Sequence, residues 1–183
     1  SNGLLLDVVE QGAERTFRWA TRYPIASYLV SVAAAKYAEF DTTYVALDGT
    51  TTMPVRYYVY PEDLAKARVD FQNTTALLGY LARKFGEYPF LEEKFGYAEV
   101  DGALTMENQT IVSVERSLIT ADLKHESTLL HEMAHHWWGN LITPVSWRHT
   151  WISEGFATFV EELGLGERVR LEAERLLARR GTG

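Results

Sequence analysis

His131-Glu132-Met133-Ala134-His135, followed by Glu154 within Trp151-Ile152-Ser153-Glu154-Gly155-Phe156-Ala157, is the stretch that decides how this chain is read. On a helix, residues four apart lie one above the other on the same face. Two imidazoles at that spacing converge on one tetrahedral cation. Glu132 stands about 100° round the helix from His131, so it reaches a water on that cation without binding the cation itself. A zinc ion that keeps one position for water needs a third protein ligand. Glu154 is the candidate, because it lies at a predicted helix start and the loop over 140–150 is long enough to fold that helix back on the first. Taken alone, Glu154 also reads as an acid complementing a helix dipole. His136 and His149 are the rival ligands; His136 is one residue off the metal face and His149 sits in a loop. His125-Glu126 begins like the motif, but Leu129 stands four residues on, so it does not chelate.

Outward from the motif, the pattern predicts a helix from about 122 or 124 to 138, closed by Gly139-Asn140. Residues 141–150 read as a loop around Pro144. Ser153 caps a helix running from 154 to about 163, and a charged helix over 167–180 ends at Gly181. Upstream, Pro61-Glu62-Asp63 opens a helix. Its apolar positions Leu64, Ala67, Phe71, Leu78 and Leu81 carry it to about Phe85, where Gly86 and Pro89 end it. Residues 28–32, 56–60, 97–100 and 110–114 read as strands, with Gly102 in a turn between the last two. Asp48-Gly49 is a turn and a candidate boundary. Strands first and helices later make an α+β fold. Four of the five Trp fall between 137 and 151; they read as packing that fixes the metal helix, with a substrate pocket as the alternative.

Composition narrows the function classes. At 183 residues, 46% hydrophobic and 23% charged, the chain has the balance of a folded domain and not of a disordered one. Lys+Arg 18 against Asp+Glu 25 leaves a net charge of −7. With no basic block, that argues against nucleic acid or anionic lipid as the main partner. Glu172, Glu174, Arg175, Arg179 and Arg180 read as a solvated helix face. Cys is zero, which excludes disulfides, a thiolate metal site and a cysteine nucleophile. No apolar run reaches about 18 residues, so no membrane span is expected. Ser1-Asn2-Gly3, followed only by Leu4-Leu5-Leu6-Asp7, is not a signal peptide, and the lack of an initiator Met reads as a trimmed start. Cytoplasmic and exported locations both stay open, as does oligomeric state.

His131-Glu-Met-Ala-His135-His-Trp-Trp-Gly-Asn140, then Trp151-Ile-Ser-Glu154-Gly-Phe-Ala157, resembles the zinc aminopeptidases of the aminopeptidase N group, the gluzincins. The family text is close to HELAHQWFGN and WLNEGFA, so His136 stands for Gln and Ser153 for Asn. Leu104-Thr105-Met106-Glu107-Asn108 matches the last three residues of the family's GAMEN signature, with Gly102-Ala103 two residues too early. The resemblance covers residues 50–163 well and 16–48 more loosely. It implies a thermolysin-like catalytic domain from 49 to 183, preceded over 1–48 by the end of a β-rich N-terminal domain. It implies one zinc per chain on His131, His135 and Glu154, with Glu132 as general base. It also places Glu107, with Met106 and Asn108 beside it, at the free α-amine of a peptide substrate. The family's transition-state Tyr is expected beyond Gly183, and much of the family's other domains is also outside this chain. Ligating histidines usually donate their second N–H to a carboxylate. Glu161, two turns beyond Glu154, is the candidate partner, with a solvated Glu as the equal alternative. The altered Gly-Ala half of GAMEN keeps endopeptidase or epoxide-hydrolase chemistry open, as well as a piece that binds zinc without full activity. A binding module with structural zinc is disfavoured by the intact Glu132.

Overall fold

The metal helix hangs on a four-stranded sheet of order β3-β4-β5-β6. The computed structural model describes residues 1–102 and 104–180, with side chains to residue 164 of the last helix. β1 (Leu4–Gln11) and β2 (Glu14–Ala20) form a separate antiparallel ribbon. β3 (Ala38–Val45) pairs antiparallel with β4 (Thr52–Val59). Met53, Val55, Tyr57 and Val59 alternate inward on β4, the period of two that a half-buried strand requires. β5 (Phe95–Val100) and β6 (Val112–Glu115) join in parallel. β5 lies inside the sheet and is buried on both faces, as a covered parallel strand is. The expected division at residue 48 falls in the turn between β3 and β4, whose strands share this sheet.

Two sequence expectations change here. Residues 28–32 are not a strand: Ser27–Leu29 is a single 3-10 turn and the rest is extended without sheet partners. Their main chain is taken by side chains instead, since Leu29 O accepts from Asn2 Nδ2 (3.0 Å) and Asn108 Nδ2 (3.3 Å). The helix expected from 61 to 85 is a 3-10 turn plus α1 (Leu64–Asp70) and α2 (Thr74–Phe85). It breaks where Thr74 Oγ1 donates to Phe71 O at 2.7 Å, a local bond that competes with the helical ladder. The break serves the site. Asp70, at the end of α1, accepts from the amides of Thr120 (2.7 Å), Ala121 (2.8 Å) and Leu123 (2.9 Å). Ala121 and Leu123 both have positive φ. The carboxylate therefore holds a strained turn that launches the metal helix.

That helix, α3, runs Glu126–Ala134 and is shorter than the expected end at 138. Its C-terminal turn closes through i+5 amides: Asn140 N to His135 O (2.9 Å) and Leu141 N to His136 O (3.2 Å). Gly139 makes this possible at φ +134, a conformation other residues avoid. α4 (Thr150–Arg180) replaces the two helices expected after residue 153. It starts four residues earlier than expected, so Ser153 is not its cap; Ser153 Oγ donates back to Thr150 O at 2.9 Å from inside the helix. Gly164 lets α4 approach α3, since a Cβ there would collide with Leu130 Cδ2. Gly181, the expected stop, lies outside the described residues. The core fills the space between one sheet face and α2, α3 and the start of α4. Among the described residues, no helix is long and apolar enough to cross a membrane.

Candidate metal centre

α3 and α4 bring His131, His135 and Glu154 together. His131 Nε2 and His135 Nε2 stand 3.1 Å apart, and Glu154 Oε2 lies 3.4 Å from the first and 3.5 Å from the second. Tetrahedral bonds of about 2.0–2.1 Å, those of zinc to nitrogen and oxygen, require donor–donor edges of about 3.3 Å. The observed triangle has that size. The outer ring nitrogens show why it needs a cation. His135 Nδ1 lies 3.0 Å from Trp138 O, and His131 Nδ1 lies 3.4 Å from Glu161 Oε2. Each Nδ1 therefore carries its proton toward an oxygen, which leaves two Nε2 lone pairs facing each other and a carboxylate. A cation placed between them makes that arrangement favourable. Glu161 thus stands against His131, as the helical offset suggested. The His135 side chain is 2% exposed and that of Glu154 50%, so the centre opens to solvent along α4.

Glu132 belongs to a second cluster that shares His135 with this triangle. Its carboxylate, a ligand atom of Glu107 and a ring nitrogen of His135 all lie within 4.8 Å of one another. Glu107 is 9% exposed and Glu132 8%, so two nearly buried carboxylates share one small space. Burial, followed by the charges on Glu107, Glu154 and Glu161, pushes the Glu132 carboxyl up to about 8. Cations against these groups oppose that shift. Glu107 stands at the sheet's end because Met106 pairs with Ser113 through two 2.9 Å bonds. Asn108 locks the turn, accepting from Ser113 Oγ at 2.7 Å. Met106 and Asn108 thereby place Glu107 by main-chain geometry, and the Asn108 side chain donates to Leu29 O.

The rival ligands lie elsewhere. His136 is fully buried among Tyr88, Phe90 and Phe95, with Nδ1 2.9 Å from the Tyr88 hydroxyl. Burial pushes it down to about 3, so it is neutral. His149 is exposed in a 3-10 turn before α4. The tryptophans divide: Trp137 is core and Trp138 stacks on Phe156 at 5.3 Å, joining the metal helix to α4, whereas Trp147 and Trp151 are exposed.

Two residues near the centre had no sequence signal. Tyr28 stacks at a tilt on Trp147, 4.9 Å between rings, and its phenol is raised by burial and then by Glu107 and Glu154. Asn140 donates to Glu107 O at 2.8 Å. Tyr28 lies far from the motif in sequence, and a closing Asn announces only a helix end.

A mixed sheet carrying an HExxH helix, with a third ligand from the next helix, defines the zincin class of metallopeptidase domains. Residues 70–179 match the Peptidase family M1 domain, and the chain belongs to that family. It is 27% identical to leucine aminopeptidase 2-2 of Meyerozyma guilliermondii, over 91% of this chain and 25% of that protein. It is 26% identical to a probable aminopeptidase 2 of Sulfurisphaera tokodaii, over 91% of this chain and 22% of that one. An M1 zinc metallopeptidase from Deinococcus radiodurans superposes with a TM-score of 0.78 at 27% identity, over 97% of this chain and 40% of that chain. An E323A mutant of the Deinococcus protein has been solved with a Tyr-Ser-Ala substrate. The chain spans about a quarter of the length of the curated relatives it matches.

Proposed function

We propose that this chain is the metal-bearing part of a zinc aminopeptidase that removes single residues from the free N-terminus of peptides. The observation that carries the reading is the 4.8 Å limit on the separation of Glu107, Glu132 and His135. In an N-terminal residue, the amine nitrogen lies about 2.5 Å from the carbonyl carbon, from standard bond lengths and angle. An ammonium on a carboxylate adds about 2.8 Å. Glu107 and the scissile carbonyl therefore stand about 5 Å apart at most if the amine rests on Glu107. The space between Glu107 and Glu132 accommodates one residue, not two. That is the geometry of an exopeptidase, and it counts against an endopeptidase, whose substrate must continue past Glu107.

His131, His135 and Glu154 would hold the zinc. When bound, zinc supplies the Lewis acid that polarises the scissile carbonyl and acidifies water. Glu107 holds the α-ammonium and sets the register. Glu132 takes the proton of the attacking water and returns it to the leaving amine. Glu161 keeps the His131 proton on Nδ1 and leaves Nε2 free for the metal. The M1 family, the aminopeptidase relatives and the peptide substrate bound to the Deinococcus mutant support the reading.

The test is Glu132→Gln in the full-length parental protein. Zinc content should stay at one per chain while aminoacyl anilide hydrolysis falls by at least about 100-fold, the range for removing a general base. Activity that persists, or zinc lost with the carboxylate, would overturn the assignment.

A further inference from the structure

Removing one residue at a time demands that the amine-binding carboxylate stand at a fixed distance from the metal donors. The two come from separate parts of the chain: Glu107 from the turn before β6, and His131 and His135 from α3. Asn140 joins them. It is 5% exposed. Its main-chain N–H closes the metal helix on His135 O at 2.9 Å. Its side-chain Nδ2 donates to the carbonyl of Glu107 itself at 2.8 Å. One residue thus ends the helix of the second metal ligand and grips the main chain of the amine site. Gly139, at φ +134, swings Asn140 into that position. The other hydrogen bonds that shape the Glu107 turn run to Ser113 and Leu29.

We propose that Asn140 is a positioning residue that sets the distance between the Glu107 carboxylate and the metal ligands, and hence the enzyme's dependence on a free α-amine. The inference rests on the reading of Glu107 as the amine site. Chemistry explains the residue type. A carbonyl needs a donor, the reach is short, and Asp at this position would face the carbonyl with a second acceptor. A misplacement of about 1 Å is enough to cost a site up to about 100-fold.

Two inhibitors that differ only in the amine separate positioning from general scaffolding: L-leucine hydroxamate and 4-methylpentanoic hydroxamate. Their affinities are measured on the zinc-loaded, full-length protein as wild type, Asn140→Ala, Asn140→Asp and Glu107→Ala. The wild type should favour the amine-bearing compound, and Glu107→Ala should erase that preference. Both Asn140 variants should reduce it by about 10-fold or more, with zinc content and affinity for the amine-free compound held within about 2-fold. An undiminished preference in either folded Asn140 variant would overturn the proposal. So would parallel loss of zinc and of both affinities in the two variants, which would make Asn140 a support of the metal helix alone. A wild type indifferent to the amine, or a Glu107→Ala that keeps the preference, would remove the Glu107 reading and this inference with it.

Discussion

Replacing Glu107 with Ala puts a number on the proposed amine site. The carboxylate is 9% exposed. Among the described residues, the side-chain hydrogen bond at residue 107 engages its main chain, from Asn140, and not its carboxylate. An ammonium docked there would make a charge-assisted hydrogen bond worth about 1.5–3 kcal/mol. At about 1.4 kcal/mol per decade, its loss lowers kcat/KM for a free-amine substrate by about 10- to 150-fold. Glu107→Gln keeps a neutral acceptor and should fall between wild type and Ala. The assay compares initial rates on leucyl anilide and Nα-acetyl-leucyl anilide with the zinc-loaded, full-length protein. The acetylated substrate has no ammonium to lose, so its slow hydrolysis should change by less than about 3-fold. Equal losses on both substrates would mean that Glu107 supports the metal centre rather than the amine. A loss under about 3-fold on leucyl anilide would mean that the ammonium rests elsewhere.

Glu161→Gln removes the carboxylate facing His131 Nδ1 at 3.4 Å and should weaken zinc binding by about 10-fold, the low end for such partners given its partial exposure; competition against a chelator measures it, and unchanged affinity would assign Glu161 to solvent. A second expectation concerns the buried Asp63–Glu99 pair at the other end of the sheet. Burial, with Asp63 adding repulsion, raises Glu99 to about 7 against the pull of Arg116, whose Nε stands 2.7 Å from Asp63 Oδ2 and 3.7 Å from Glu99 Oε1. A folded-state pKa above the unfolded one means that the folded state binds the extra proton. This contribution is complete below about 4.5 and is lost as pH rises through about 7. Glu99→Gln, which carries its own N–H donor, should flatten that window: the thermal midpoint of the variant should change less than that of wild type between pH 5 and 8. A parallel pair of curves would show that the two carboxylates share no proton.

The convergence of the two imidazoles was legible from the chain because its geometry is nearly one-dimensional. His131 and His135 owe their convergence to the rise and pitch of one helix, which any sequence at that spacing inherits. Glu132 follows from the same pitch. Glu154 needed the resemblance as well, and its helix begins at Thr150 rather than at Glu154. The choice among Glu154, His136 and His149 waited on packing, since burial among Tyr88, Phe90 and Phe95 is what removes His136.

Periodicity found the apolar faces and most strand positions in β4, β5 and β6. It missed the break between α1 and α2, the short α3 and the fusion of the last two helices. Each boundary is settled by a side-chain hydrogen bond, a positive φ or a close helix approach at Thr74, Gly139 or Gly164. Those are contacts of the folded state that propensity does not encode. The proximity of Glu107 to Glu132, the grip of Asn140 on Glu107 and the place of Tyr28 beside Trp147 join residues 25 to 119 positions apart, Asn140 to Glu107 being 33. Residue types and local spacing therefore specified which atoms can bind a metal. How far an amine-binding carboxylate stands from them was decided by the packing of a sheet end against a helix end, and no local pattern carries that distance.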